Sequence, residues 1–340
     1  MKSTLLLSIR ILLIPAQAAC FTLITFDVDG TLVKGSGKAA SESAHARAFS
    51  HAVSTVLNNS QPVTSVADAL PTHLYHGSTD GLILLRLAKA TLGMESKDSF
   101  DKLEEMFACM YDFMSAMEDT EIAAHITPLP GVMDHLNTLA TATMKERVMC
   151  GLVTGNVEGV ARKKMKAVGI FDTHALGPPC ATQKQQQQQW EGSQEYGFLG
   201  GFGSDYCSGD IDSLDRNHLD RGEQIAIAAN RCKNILANNN SMDQVNDTCT
   251  RRQKTLKRVV HVGDAPADVL AAKWFSERQS EMNMNSEDKI CVGCVAVATG
   301  SYTANELRQL AGEPIVGIWE PVILEEGMGD PSFLKACGIF

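Results

Sequence analysis

The sequence predicts a doubly wound α/β fold interrupted by an inserted all-helical domain, and three observations lead there. First, short β-branched and apolar runs recur well apart: Phe21 to Phe26, Val148 to Val153, Arg258 to Val262, Cys291 to Ala298 and Ile315 to Trp319. They alternate little between apolar and polar positions, the pattern of strands buried on both faces of a parallel sheet. Second, helical periodicity fills the intervals between them. Val157, Val160, Ala161 and Val168 mark one apolar face, and Ile225, Ala228, Ala229 and Cys232 mark another. Strands alternating with helices in this way build an open α/β sheet. Third, the interval from about Lys38 to Thr127 breaks the alternation and reads as helices alone.

Taken in order, residues 1–20 come first. Lys2 and Arg10 are basic, no acid precedes Asp27, and Ala16-Gln17-Ala18 resembles a cleavage site, as in a targeting peptide. Arg10 splits the apolar run, however, so a plain N-terminal extension is the competing reading, and a cytoplasmic or organellar location depends on which holds. The α/β core is expected over 21–34 and 128–340, and the helical insert over 35–127. The insert contains SESAHARAFSHAVSTVL, TDGLILLRLAKATLG and FDKLEEMFACMYDFMSAM, entered through Gly35-Ser36-Gly37 and left through Pro128-Leu129-Pro130-Gly131. Gly and Pro at both junctions fit a pair of hinge strands. Residues 182–196, with glutamines from Gln185 to Gln189, and the polar stretches 237–256 and 276–288 read as loop insertions that do not pack.

Composition narrows the function. The chain has 340 residues, 44% hydrophobic and 21% charged, with a net charge of −10. That balance disfavours a nucleic-acid surface or an anionic membrane as partner. No later segment reaches the roughly 18 apolar residues a membrane span needs, so no stable membrane insertion is expected. Ten cysteines lie scattered without a framework, which reads as buried thiols rather than a disulfide scaffold. Cys291-Val-Gly-Cys294 is a single CxxC, and a zinc site would want a second pair.

Ligands of an open parallel sheet bind beyond the carboxyl ends of its strands. Asp27 and Asp29 follow the first strand, Thr154-Gly155-Asn156 follows VMCGLV, and Gly263-Asp264 with Asp268 follows VVHV. Crowded aspartates repel unless something positive lies between them. A hard divalent cation, most naturally Mg2+, takes oxygen ligands and keeps waters for a phosphate. The Thr154 hydroxyl and the free amides of the helix after Asn156 suit a phosphate oxygen. As bland alternatives, Asp27 and Asp29 could close a turn, Thr154 and Asn156 could cap a helix, and Asp264 and Asp268 could do the same at i and i+4.

DVDGTLV, LVTGN and VGDAPAD, in that order and at strand ends, resemble the haloacid dehalogenase superfamily of phosphohydrolases, over about Phe21 to Trp319. The resemblance implies a Rossmann-like core, with the insert as a helical C1 cap like that of phosphoglycolate phosphatases. It implies a Mg2+-dependent phosphatase for a small phosphorylated metabolite, phosphoglycolate being the first guess. Carried over, Asp27 is the nucleophile that forms an aspartyl-phosphate and Asp29 the general acid and base. The metal is held by Asp27, the Asp29 backbone carbonyl and Asp264, with Asp268 a further ligand or a support behind them. Thr154, Gly155 and Asn156 bind the phosphate.

The family usually places a lysine before the fourth motif, whereas DRGEQIAIAANRC offers Arg221, after a GFGSD stretch similar to that of relatives using arginine. Arg221 is the expected phosphate-side cation, and Lys254 and Lys257 are the alternatives. His45, His76 and Asp80, in AHARAF and LYHGSTDG, stand either at the cap's site-facing loop or as ordinary surface and capping residues. The Ala298-Thr299-Gly300 turn lacks a carboxylate and reads as loop closure. A phosphomutase would share every core residue, and a catalytically silent binding protein could keep the fold. Oligomeric state does not follow from the sequence.

Overall fold

A computed structural model of the chain describes residues 19–35, 43–57, 63–141, 144, 147–176, 199–243, 254–282 and 289–339. The expected insertion at 182–196 and all but the end of the N-terminal segment lie outside them. The chain begins with β1 (Ala19–Phe26) and β2 (Val33–Gly35). Seven helices follow: α1 (Ala44–Val56), α2 (Val66–Ala69), α3 (Thr72–Tyr75), α4 (Asp80–Leu92), α5 (Ser96–Phe100), α6 (Leu103–Ser115) and α7 (Asp119–Ala123). Then come β3 (Ile126–Pro128), α8 (Val132–Leu139), β4 (Val148–Thr154), α9 (Glu158–Ala167), β5 (Gly200–Phe202) and α10 (Arg216–Asp243). The remainder is β6 (Lys254–Gly263), α11 (Pro266–Met282), β7 (Cys291–Val297), α12 (Ala304–Ala311), β8 (Trp319–Leu324) and α13 (Phe333–Ala336).

Six strands form one sheet in the order β5-β4-β1-β6-β7-β8, every neighbouring pair parallel. This is the α/β fold with helices on both faces that the apolar strand runs foretell. β1 sits between β4 and β6, so the chain winds outward first to one side and then to the other. A crevice opens at such a reversal, beyond the carboxyl ends of the strands. Alternate side chains serve two cores. Ile24, Phe26, Val260 and Val262 pack on one face with Phe202 and Phe333, while Phe21, Leu23, Val259 and Val292 pack on the other with Ile225 and Phe275. The period of two that separates these sets is the pleat itself.

The interval between β2 and β3 is helical, and these two strands pair antiparallel, Val33 with Pro128 and Gly35 with Ile126. α4 starts where the Thr79 hydroxyl accepts the Leu82 amide and ends at Gly93 in the left-handed region. Its inner face joins α1 and α6 in a third core of Phe49, Leu82, Leu85, Met106 and Met110. Val157 and Val160 of the loop and helix after β4 belong to that same core.

Four details differ from expectation. The polar stretch from 237 is helical through Asp243, and residues 254–256 open β6. The stretch from Ser276 is helical through Met282. Neither run contains Gly or Pro, and an established helix adds residues at little cost even through asparagine. The last strand begins at Trp319, not Ile315: Gly317 turns the chain at φ +70°, leaving Ile315 and Val316 exposed. β5, a three-residue GGF strand, had no sequence signal of its own length.

Candidate active site

The end of β1 is pinned when the Asp27 amide donates to the Val262 carbonyl at 2.9 Å. The chain then turns at Gly30, whose φ of +87° suits glycine and whose missing Cβ leaves space for the Asp264 carboxylate. Gly300 lies against that carboxylate from the other side, and the Thr299 hydroxyl donates to the Gly30 carbonyl. The Ala298-Thr299-Gly300 turn is therefore part of the wall around Asp264, beyond simple loop closure. Thr31 Oγ1 donates to Asp264 Oδ1 at 3.3 Å.

Asp27, Asp264 and Asp268 bring one carboxylate oxygen each within 4.8 Å of one another, and all three are buried. Arg221, from the first turns of α10, stands among them. Its Nη1 donates to Asp27 Oδ1 at 2.7 Å, Asp268 Oδ1 at 2.9 Å and the Val153 carbonyl at 3.3 Å. Its Nε is buried with no hydrogen-bond partner among the described residues. Lys254 and Lys257 start β6, at the end of the strand remote from Asp264, so they do not reach this cluster.

Three carboxylates against one guanidinium leave excess negative charge, and the acids register it. Burial above all pushes Asp27 up to about 6, against the pull of Arg221 and with a further push from Asp268 and Asp29. Burial and the charges of Asp27 and Asp268 push Asp264 well above the usual carboxylate range. Asp268 goes the other way: burial opposes its ionisation, but Arg221, His261 and the Ala265 amide together hold it below the usual range. A donor set of buried oxygens with an unbalanced charge fits a hard divalent cation such as Mg2+.

The expectation of four crowded aspartates needs one correction. The Asp29 side chain stands outside the group of three. Lys164 Nζ donates to its Oδ1 at 2.9 Å and Oδ2 at 2.7 Å, and Asn156 Nδ2 to Oδ2 at 3.0 Å. Desolvation is the largest influence on Asp29 and raises it, yet Lys164, His45 and Asn156 together hold it down to about 2. Its expected contribution to a cation is the backbone carbonyl, which this leaves untouched.

Thr154 is buried at the end of β4, and its Oγ1 accepts the Asn156 amide at 3.4 Å. The Gly155 carbonyl accepts the Asp80 amide at 2.7 Å, and a Cβ at Gly155 would collide with the Ser78 carbonyl. So the loop from Ser78 to Asp80 rests directly on Thr154-Gly155-Asn156. Of the three helical-insert residues singled out, His45 and Asp80 face this seam, while His76 Nδ1 meets Ser301 Oγ at 3.3 Å.

Two residues of the site were not foreseen. Lys164 is buried at the i+4 position from Val160 and i+3 from Ala161, on the apolar stripe of α9, where a lysine is out of place. That misfit was a readable signal. His261, fully buried in the odd-numbered face of β6, has Nδ1 3.0 Å from Thr25 Oγ1 and Nε2 3.2 Å from Asp268 Oδ1. Inside an apolar run it looks like any strand residue. Cys291 and Cys294, three apart on β7, point to opposite faces and share no site.

The acid cluster lies at the switch point of a parallel α/β sheet, where ligands of such folds bind. Residues 21–186 match the family model described as haloacid dehalogenase-like hydrolase. A solved structure of the L-2-haloacid dehalogenase from Xanthobacter autotrophicus, with chloropropionic acid covalently bound, is similar at 13% identity and a TM-score of 0.32. That alignment covers 93% of this chain and 98% of the dehalogenase. No curated protein matches the chain. Among the described residues no helix is long and apolar enough to cross a membrane.

Proposed function

We propose that the protein is a Mg2+-dependent phosphohydrolase that cleaves a small phosphate monoester through an aspartyl-phosphate on Asp27. One observation carries this reading. Two aspartates one residue apart occupy opposite environments: Asp27 lies among two carboxylates and Arg221, and Asp29 lies apart with Lys164 and Asn156. A phosphoryl-transfer site needs that division, one carboxylate to bond phosphorus and another to handle protons.

In the first step an Asp27 oxygen forms a bond to phosphorus as the ester P–O bond breaks, and the Asp29 carboxyl gives its proton to the departing alkoxide. In the second, Asp29 takes a proton from water as the water oxygen attacks phosphorus, releasing phosphate and Asp27. An anionic phosphate seated beside Asp29 raises that carboxyl's affinity for the proton it must carry. Arg221 and the Thr154 hydroxyl hold phosphoryl oxygens, and the unpartnered Arg221 Nε supplies one further donor. Asp27, Asp264, the Asp29 carbonyl and, as ligand or support, Asp268 would hold Mg2+, which when bound supplies charge neutralisation for the phosphoryl oxygens.

The helical insert, acting as a cap, limits the substrate to a small molecule and excludes water on closing. A phosphorylated two-carbon acid such as phosphoglycolate is the first compound to try, on the likeness of the Leu74–Gly81 loop to that of phosphoglycolate phosphatases. The test is a panel of small phosphate monoesters, with a 2-haloacid alongside, read out as free phosphate or halide with Mg2+ and with EDTA. Phosphate release that EDTA and Asp27→Asn each abolish supports the reading. Halide release without metal, or phosphate release untouched by Asp27→Asn, refutes it. Transfer to a second sugar hydroxyl in place of release would mark a phosphomutase.

A further inference from the structure

Thr25 and His261 are directly paired across β1 and β6, and the pleat turns both side chains to the face that also carries α10 and α11. Both are wholly buried, as is Asp268 in the first turn of α11. A carboxylate only accepts, so His261 Nε2 carries a hydrogen and donates it to Asp268 Oδ1 at 3.2 Å. The Thr25 hydroxyl meets the other ring nitrogen at 3.0 Å. A ring engaged at both nitrogens and shut off from water keeps one orientation.

Asp268 is gripped at both oxygens. Oδ2 accepts the Ala265 amide at 3.1 Å, and Oδ1 takes Arg221 Nη1 at 2.9 Å besides the imidazole. A Cβ at Gly263 would collide with this carboxylate, so bare backbone makes its floor. Both carboxylates that hold Arg221 meet it at one nitrogen, Nη1, with Asp27 Oδ1 at 2.7 Å. These two do not hold it equally through a reaction. Once an Asp27 oxygen bonds phosphorus, the negative charge of that carboxylate moves onto the phosphoryl group, and its pull on the guanidinium falls. Asp268 is then the carboxylate left to hold Arg221, and His261 decides where Asp268 points.

We propose that His261 is a positioning residue for Arg221: by donating to Asp268 Oδ1 it fixes the carboxylate that keeps the guanidinium in place beside the phosphoryl oxygens. The kinetic arm rests on the phosphohydrolase reading, and the structural arm rests on geometry alone. The chain Thr25–His261–Asp268–Arg221 lies wholly within the α/β core and joins strands β1 and β6 to helices α11 and α10.

The experiment compares wild type with His261→Leu, His261→Gln and His261→Asn. Nitrogen-15 NMR of arginine-labelled protein in EDTA reads the rotation of the Arg221 guanidinium about its Nε–Cζ bond, the signal being the one lost in Arg221→Lys. Turnover of a small phosphate monoester is measured with Mg2+ on the same proteins. In His261→Leu the rotation is expected to quicken roughly tenfold or more, the weight of one hydrogen bond to a charged group, and kcat/KM to fall by a similar factor. Glutamine brings its amide nitrogen near the place of Nε2 and should recover most of both losses. Asparagine is shorter, reaches Thr25 only, and should recover neither. Unchanged Arg221 rotation in His261→Leu overturns the positioning role. Equal recovery by glutamine and asparagine also overturns it, since a residue that merely fills the strand needs no donor toward Asp268. If His261→Leu does not fold, the contrast between glutamine and asparagine decides alone. Should wild type release phosphate from no ester, the phosphohydrolase reading fails, and the rotation measurements by themselves decide for or against the role of His261.

Discussion

Replacing Asp27 by asparagine should make the metal-free protein more stable. The side chain is buried at 6% exposure, within reach of Asp264 and Asp268, and shares Arg221 with the latter. Ionising it in the folded state is costly: burial, which Arg221 only partly offsets, moves its proton affinity from the ordinary 3.8 to about 6. Above pH 6 the ionised folded state is thereby disfavoured by about 3 kcal/mol relative to the unfolded chain. The sign follows from the direction of the shift. An acid raised on folding binds its proton more tightly folded than unfolded, so the penalty is full above about pH 6, fades as pH falls toward 3.8, and vanishes below. Asparagine mimics the protonated acid and removes the penalty. In EDTA at pH 8, urea unfolding followed by circular dichroism should show Asp27→Asn more stable by about 3 kcal/mol, the gain shrinking toward zero near pH 4. Saturating Mg2+ should close most of the gap from the wild-type side, since a ligand at 100 times its Kd adds about 2.7 kcal/mol. A variant no more stable than wild type in EDTA at pH 8, or a gain independent of pH, would refute the charge imbalance on which the metal assignment rests.

Three further outcomes follow from the same geometry. Arg221→Met strips a buried cation from two carboxylates and should cost about 3–5 kcal/mol in urea unfolding, with Arg221→Lys recovering part of it, since one nitrogen, Nη1, meets both carboxylates. His261→Leu should cost about 1–3 kcal/mol by leaving Thr25 and Asp268 each a partner short. The cost should fall in a Thr25→Val background, as a double-mutant cycle would measure. Gly155→Ala drives a Cβ into the backbone carbonyl of Ser78, so the Asp80 amide should lose its exchange protection and urea unfolding should show a loss of about 1–3 kcal/mol.

How far the sequence could be read depends on the range of the physics involved. Strands β1, β4, β6 and β7 announced themselves because both their faces are buried, and a continuous apolar run needs no knowledge of its neighbours. The carboxylates at 27, 264 and 268 were legible because strand ends in a parallel sheet share one edge, so motif order alone brings them together. Arg221 was legible only through the family resemblance, as the first basic residue of DRGEQIAIAANRC after the GFGSD stretch. The role of Lys164 was not, because it depends on a partner 135 positions away and on a cap residue 119 positions away. His261 escaped for the same reason: nothing local separates a histidine that orients an aspartate from one that fills a strand. The Ile315 strand was misplaced because β-propensity outweighed the turn that Gly317 imposes. Short β5 depends wholly on pairing with β4, Leu152 beside Gly200 and Thr154 beside Phe202.

The helix after β4 belongs to two interiors at once. Val160 on it, with Val157 just before it, packs among Leu82, Met106 and Met110, while Ala161 and Met165 pack beneath the sheet with Phe26 and Leu152. The helical insert is therefore no interchangeable module joined by two short strands. Transplanting a foreign lid onto this chassis would strand valines against an unmatched surface and remove the imidazole that braces the α9 lysine. Diversification of such an insert must proceed together with the outward face of α9, so that the two surfaces change as one block.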